Sequence, residues 1–210
     1  MAHRRHSRAV PRTPQERGDV HGVRIVGGTL RGRKVHYSGD PRTRPMKDRL
    51  REAVFNLLGD DVTRRLAIDL FAGTGALGLE AISRGAQRAV LIERHLPTAQ
   101  LIERSARDLG VADQVQVVFG DAFAWSRGFQ PPAEARLLVF CCPPYEFYNT
   151  QREAMLELIC GWMHRPTAST LLVVEAPDAF DWNQLANPSE WRVRCYPPAS
   201  IGIWESPPRP

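Results

Sequence analysis

Leu66–Gly78 reads LAIDLFAGTGALG. An apolar run ends in an acid, Asp69, and passes through a glycine loop into an Ala/Leu-rich segment, the pattern of a β-strand, a tight turn and a helix start. Gly73, Gly75 and Gly78 have the spacing GxGxxG, which lets backbone amides at a helix N-terminus approach a ligand closely. Glycine spacing alone fits a dinucleotide, another adenosyl cofactor, or a mere tight turn. The surrounding chain has to choose between them.

Downstream of Leu66, short apolar runs alternate with helical stretches, the signature of a parallel sheet flanked by helices. Strands are expected near 66–71, 88–93, 115–119, 137–142 and 171–175, with helices over about 76–84, 96–109 and 150–163. Two further β-prone runs, Trp191–Tyr196 and Ser200–Trp204, are split by Pro197-Pro198. They are expected to finish the sheet as an antiparallel pair. The predicted fold class is therefore α/β, a doubly wound, mostly parallel seven-stranded sheet.

Upstream, residues 1–65 carry 16 Lys and Arg against 7 Asp and Glu, a net +9, whereas the remainder is net −4. An Arg-dominated segment suits a polyanion, because guanidinium groups pair with phosphates in a fork and stack on bases. Residues 1–21 read as a disordered basic arm. Val23–Tyr37 reads as a basic hairpin around Gly27 and Gly28, with Arg31, Arg33 and Lys34 on its second run. After Thr43-Arg44-Pro45, the residues Leu50, Ala53, Val54, Leu57 and Leu58 recur at helical spacing and leave Lys47, Arg49 and Arg51 off the buried face. The chain is thus expected to divide into the arm, an N-terminal basic hairpin and helix at 22–65, and a cofactor-binding domain at 66–206.

Composition narrows the class further. With 43% hydrophobic residues, no window as long as a membrane span and no apolar core in the first twenty residues, a cytoplasmic protein without membrane attachment is expected. Cys141, Cys142, Cys160 and Cys195 lack CxxC spacing, so reduced thiols and no metal are expected. A monomer is the expected state.

In doubly wound sheets, ligands bind beyond the carboxyl ends of the strands. The residues there form a set: Asp69, Glu93, Asp121 in GDAF, and Cys142-Pro143-Pro144-Tyr145. A dinucleotide explains the glycines and Glu93, since an acid about 20 residues on binds ribose hydroxyls. It does not explain Asp69, which would repel a pyrophosphate but favours the ammonium group of S-adenosylmethionine. Asp121 can accept from the adenine amino group. Each residue also has a purely structural reading: Asp69 capping a turn, Glu93 a surface acid beside Arg94, Asp121 starting a helix, and PPY a rigid turn with a core tyrosine.

These pieces together resemble the bacterial 16S ribosomal RNA guanine-N2 methyltransferases of the RsmD type. The matching stretches are RIVGGTLRGRKV at 24–35, TRPMKDRLREAVFNLL at 43–58, DLFAGTGALGLEAISRGA at 69–86, IER at 92–94, GDA at 120–122 and PPY at 143–145. The resemblance implies a class I S-adenosylmethionine-dependent fold. It implies that Asp69, Phe71, Ala72, Gly73, Thr74, Gly75 and Gly78 hold the methionine end of the cofactor, Glu93 and Arg94 the ribose region, and Asp121 and Ala122 the adenine. It further implies that Arg24, Arg31, Arg33, Lys34, Arg44, Lys47 and Arg49 face ribosomal RNA or the small ribosomal subunit, and that residues 142–145 clamp a flipped guanine.

The family places Asp or Asn before the two prolines, and this chain has Cys142. A thiol accepts hydrogen bonds weakly. Three readings follow: a slower or retuned enzyme aligned by Tyr145 and backbone, a thiolate of lowered pKa replacing the carboxylate, or a non-catalytic RNA-binding or ribosome-assembly protein.

Overall fold

The computed structural model describes residues 23–40, 43 and 45–207; the arm at 1–21 and Arg44 lie outside them. The chain starts with a small antiparallel ribbon of β1 (Val23–Arg24) and β2 (Lys34–Val35), in which Val23 pairs with Val35. Helix α1 (Asp48–Leu58) follows. The main sheet then alternates strand and helix: β3 (Leu66–Asp69), α2 (Ala76–Ser83), β4 (Arg88–Glu93), α3 (Leu96–Asp108), β5 (Val115–Phe119), α4 (Ala122–Gly128), β6 (Arg136–Cys141), the short α5 (Phe147–Thr150), α6 (Arg152–Met163), β7 (Ser169–Pro177), β8 (Arg192–Tyr196) and β9 (Ala199–Glu205).

The sheet order is β5-β4-β3-β6-β7-β9-β8. Its first five strands are parallel, and β9 runs antiparallel to both β7 and β8. The seven strands and the antiparallel finish agree with the expectation from sequence. The chain enters at β3, steps outward to β5, then returns to lay β6 against the other side of β3. That reversal opens a crevice at the carboxyl ends of β3 and β6, the place where such sheets bind ligands.

Alternation along the strands builds two layers. Ala67, Leu91, Leu138, Phe140 and Val173 pack with Phe55 of α1, Leu77 of α2 and Ile102 of α3. Ile68, Val90, Val139, Cys141 and Leu172 pack on the other face with Met155, Ile159 and Trp162 of α6. A period of two in each strand feeds helices on both faces. Ile25 and Val35 of the ribbon are buried in the first of these layers, so ribbon and sheet share a core.

Boundaries differ from the sequence reading in places with physical reasons. Regular pairing of β3 ends at Asp69, yet Leu70 N–H still donates to Phe140 and Ala72 N–H to Ile92, which carries the extended chain to the glycine loop. Helix α4 is not among the helices expected from periodicity, because seven residues, AFAWSRG, are too short for it to register; its one signal is Asp121 as a helix start. Arg51 is a correction. It is fully buried, not displayed, because its guanidinium donates to the carbonyls of Met46 and Arg24 and to Asp48, and pairs with Glu80 at 3.5 Å.

The glycines of the loop do different jobs. Gly75, at φ 75°, is the residue from which α2 departs, and a Cβ there would stand 2.8 Å from Ile102 Cγ2. A Cβ on Gly78 would meet Leu91 at 2.8 Å, so this glycine lets α2 lie close on β4. Gly110 has the same φ of 75° but open space around it. Gly75→Ala is therefore expected to lower the unfolding free energy by roughly 1–3 kcal/mol more than Gly110→Ala, the excess being overpacking. Equal losses in urea melts of the two variants would refute that assignment.

Candidate active site

Asp69 ends β3 and is buried, with neither carboxyl oxygen finding a hydrogen-bond partner among the described residues. Burial raises its pKa to about 7; the nearby charge of Glu93 adds to the rise, while the amides of Gly78 and Phe71 pull it back without completing a hydrogen bond. A buried acid left this way calls for a cation or a proton. It does not cap the turn.

Glu93, at the end of β4, reaches across to the loop: Oε2 accepts from Gly73 N–H at 2.9 Å and Oε1 from His95 N–H at 2.8 Å. Two backbone donors fix the carboxylate and leave acceptor capacity on its oxygens for hydroxyl groups. Asp121, just beyond β5, is exposed, and its Oδ1 accepts from Ala124 N–H at 2.9 Å, so it does start a helix. Ala122 is buried behind it. Thr74 is buried in the loop.

An aromatic group roofs this end of the sheet. Phe71, Phe123 and Phe147 meet with centroids 5.9–6.2 Å apart, and the Arg94 guanidinium lies 5.3 Å from the Phe147 centroid. Across the crevice, Cys142 follows β6. Pro143 is buried, Pro144 exposed and Tyr145 half-buried, with its hydroxyl donating to Glu175 Oε1 at 2.8 Å. Burial, with Glu175 and Asp69 adding negative charge, raises the Cys142 pKa well above its ordinary value, against a lesser pull from the Glu175 amide. The thiolate reading is thereby corrected: the site holds a thiol.

The basic residues gather on the ribbon and α1. Arg24, Arg31, Arg33, Lys34, Lys47 and Arg49 are exposed; Arg24 pairs with Asp48 at 2.7 Å, and Arg33 donates to the Asp108 carbonyl at 2.8 Å. The ribbon is anchored by its main chain, since Glu80 of α2 accepts from Val26 N–H at 2.8 Å and Gly27 N–H at 2.7 Å. Thr43 brings this segment onto the cofactor loop: its Cγ2 lies 3.4 Å from where a Cβ of Gly73 would stand. Tyr37 holds that approach by donating to the carbonyls of Asp40 and Thr43.

Sequence reasoning missed Thr43, Phe123, Phe147 and Glu175. Thr43 sat inside a quoted stretch without a role, whereas Glu175 lies outside any glycine, acid-at-loop or proline pattern. Its one signal was its position at the carboxyl end of an expected strand.

Among the described residues, no group of three or more His, Cys, Asp or Glu could hold a metal ion, and no helix is long and apolar enough to cross a membrane. The orphaned Asp69 oxygens and the carboxylate of Glu93 close by fit a cationic adenosyl group. They do not suit a pyrophosphate. The sheet order and the crevice are those of a Rossmann-like methyltransferase fold.

The chain belongs to the family described as conserved hypothetical protein 95, which matches residues 23–196. It is 38% identical over 141 residues to ribosomal RNA small subunit methyltransferase D of Escherichia coli (strain K12), covering 67% of this chain and 69% of that protein. The solved structure of the putative methyltransferase yhhF from Escherichia coli superposes with a TM-score of 0.71 at 28% identity, covering 90% of this chain and 100% of that one. An RNA methyltransferase from Salinibacter ruber, solved with S-adenosyl-L-homocysteine, shares the fold at 18% identity and a TM-score of 0.53, over 80% and 96% of the two chains.

Proposed function

We propose that this protein transfers a methyl group from S-adenosylmethionine to the exocyclic N2 of a guanine in small-subunit ribosomal RNA. The observation that carries the reading is the pairing, across the β3/β6 crevice, of the orphaned Asp69 carboxyl with the Cys142–Tyr145 segment. One side suits a cationic methyl donor and the other a flat acceptor. The exposed cations on the ribbon and α1 supply the phosphate contacts.

When bound, the cofactor supplies a methyl group on a sulfonium sulfur, already activated as a leaving group. The protein's task is alignment. Asp69 holds the ammonium group, with Phe71, Ala72, Thr74 and the glycines shaping the seat; Glu93 holds the ribose hydroxyls, with Arg94 at the rim over Phe147. Asp121 and Ala122 border the adenine. Tyr145 stacks on the flipped base, and the rigid Pro143-Pro144 pair fixes the Cys142 carbonyl as an acceptor for one amine N–H.

The test incubates the protein with labelled S-adenosylmethionine and small subunits from a strain lacking its gene, beside Cys142→Asp. Label in RNA with both proteins is expected. Label with Cys142→Asp alone would favour the non-catalytic reading, in which the Cys142 thiol has disabled the clamp; label with neither would refute the methyltransferase assignment on this substrate.

A further inference from the structure

Cys142 leaves the acceptor side without the acid or amide that would restrain an amine, yet that side is not without a carboxylate. β6 and β7 are parallel neighbours, with Cys141 opposite Val174, so the next step in register sets Cys142 beside Glu175. Cys142 and Glu175 lie toward the carboxyl ends of their strands, each partly buried. Glu175 is also tied to the residues after the prolines. Its Oε1 accepts from the Tyr145 hydroxyl at 2.8 Å, and its backbone carbonyl from the Tyr148 hydroxyl at 2.7 Å.

We propose that Glu175 is the catalytic acceptor for the substrate amine, taking over from the neighbouring strand the task that residue 142 cannot perform in this chain. The inference rests on the methyltransferase reading above. In the transfer, the amine nitrogen uses its lone pair to form the N–C bond as the C–S bond breaks onto sulfur and discharges the sulfonium. The nitrogen is then left with one proton too many and a positive charge. A carboxylate receiving a hydrogen bond from that N–H favours the developing charge and takes the proton, which solvent at the crevice mouth then removes. A thiol held protonated by its surroundings can do neither. The two tasks of Glu175 are compatible, since a carboxylate has about four acceptor positions.

Glu175→Gln keeps the shape and the Tyr145 contact while removing the charge. It is expected to lower the single-turnover methylation rate by about 100-fold, within the usual range for a general base, with cofactor affinity by calorimetry and melting temperature close to wild type. Glu175→Asp, which keeps the charge, should lose less. The discriminating variant is Glu175→Gln combined with Cys142→Asp: a carboxylate returned to position 142 should recover at least about tenfold of the lost rate. Tyr145→Phe, which keeps the ring and deletes the hydroxyl, should lose less than Glu175→Gln.

Glu175→Gln at wild-type rate would overturn the proposal. So would a Tyr145→Phe loss equal to that of Glu175→Gln with no recovery in the double variant, which would make Glu175 only a holder of the tyrosine. Wild type inactive while Cys142→Asp is active would also overturn it and leave the fold's methyltransferase chemistry standing. No label from wild type, Cys142→Asp or the double variant would instead refute the function reading itself.

Discussion

Glu80→Ala is expected to lower the unfolding free energy by about 3–5 kcal/mol, the usual result of breaking a buried ion pair from one side. Glu80 is fully buried on α2. It accepts from Arg84 Nε at 2.9 Å, lies 3.5 Å from Arg51 Nε, and takes the amides of Val26 and Gly27. Arg84 in turn rests on the Phe55 ring, 4.9 Å from its centroid. Removing the carboxylate leaves the fully buried Arg51 with Asp48 as its one remaining carboxylate among the described residues and strands two amides at once. Glu80→Gln retains one acceptor oxygen and should cost less. Urea melts measure the stability, and amide exchange at residues 26 and 27 locates the loss. A loss under about 1 kcal/mol, the value of an ordinary exposed pair, would mean the cluster is not the anchor described here. The variant should also lose RNA affinity well before cofactor affinity, because the ribbon carries the cations and the glycine loop does not.

The second large effect concerns Asp69. Its folded pKa of about 7 stands above the ordinary 3.8 of an unfolded aspartate. Between those values the unfolded chain gives up its proton while the folded one keeps it, so the group's contribution to stability is complete below about pH 4 and is lost as pH rises through 7. Asp69→Asn removes that dependence and should make the free protein more heat-resistant at pH 8 than wild type.

Cofactor binding has the opposite slope. A cationic partner favours the ionised carboxyl, so affinity should rise up to tenfold per unit as pH climbs from 5 toward 7 and flatten above it. Binding at pH 7 should release about half a proton, since a group with a pKa of about 7 is half ionised there, visible as a buffer-dependent heat in calorimetry. Asp69→Asn should weaken binding by about 10- to 100-fold, the effect of one to two pKa units of interaction, and abolish the slope. Unchanged affinity, or an unchanged slope, would remove Asp69 from the cofactor site.

Much of this was legible in the chain itself. The run 66–71, the glycine spacing and the alternation after it specify strand, loop and helix locally, and the antiparallel finish is marked by Pro197-Pro198. Asp69, Glu93 and Asp121 could be singled out because each ends or closely follows a strand, a position that topology makes meaningful. Arg51 could not be read correctly: helical periodicity assigns it to solvent, whereas the Arg24 carbonyl from the ribbon and Glu80 from a helix 29 positions later turn it inward. Glu175 is of the same kind, since its neighbour Cys142 is set by strand register and not by any local pattern. Likewise, the direction of the Cys142 pKa depends on burial and on two acids from other strands, so the sequence left the thiolate open where the fold closes it.

The way Glu80 holds the ribbon has a consequence for how such a protein can change its target. The grip is on peptide groups 26 and 27, and the apolar contacts come from Ile25 and Val35, with Val23 and Leu30 packed beside them. Side chains at 31 and 34 take no part in it, while Arg33 adds one bond to the Asp108 carbonyl. A lineage can therefore rewrite the charges and shapes at 31 and 34, one codon at a time, while the mounting stays in place. On the proposed function, the ribbon is an exchangeable reading head on a fixed chassis.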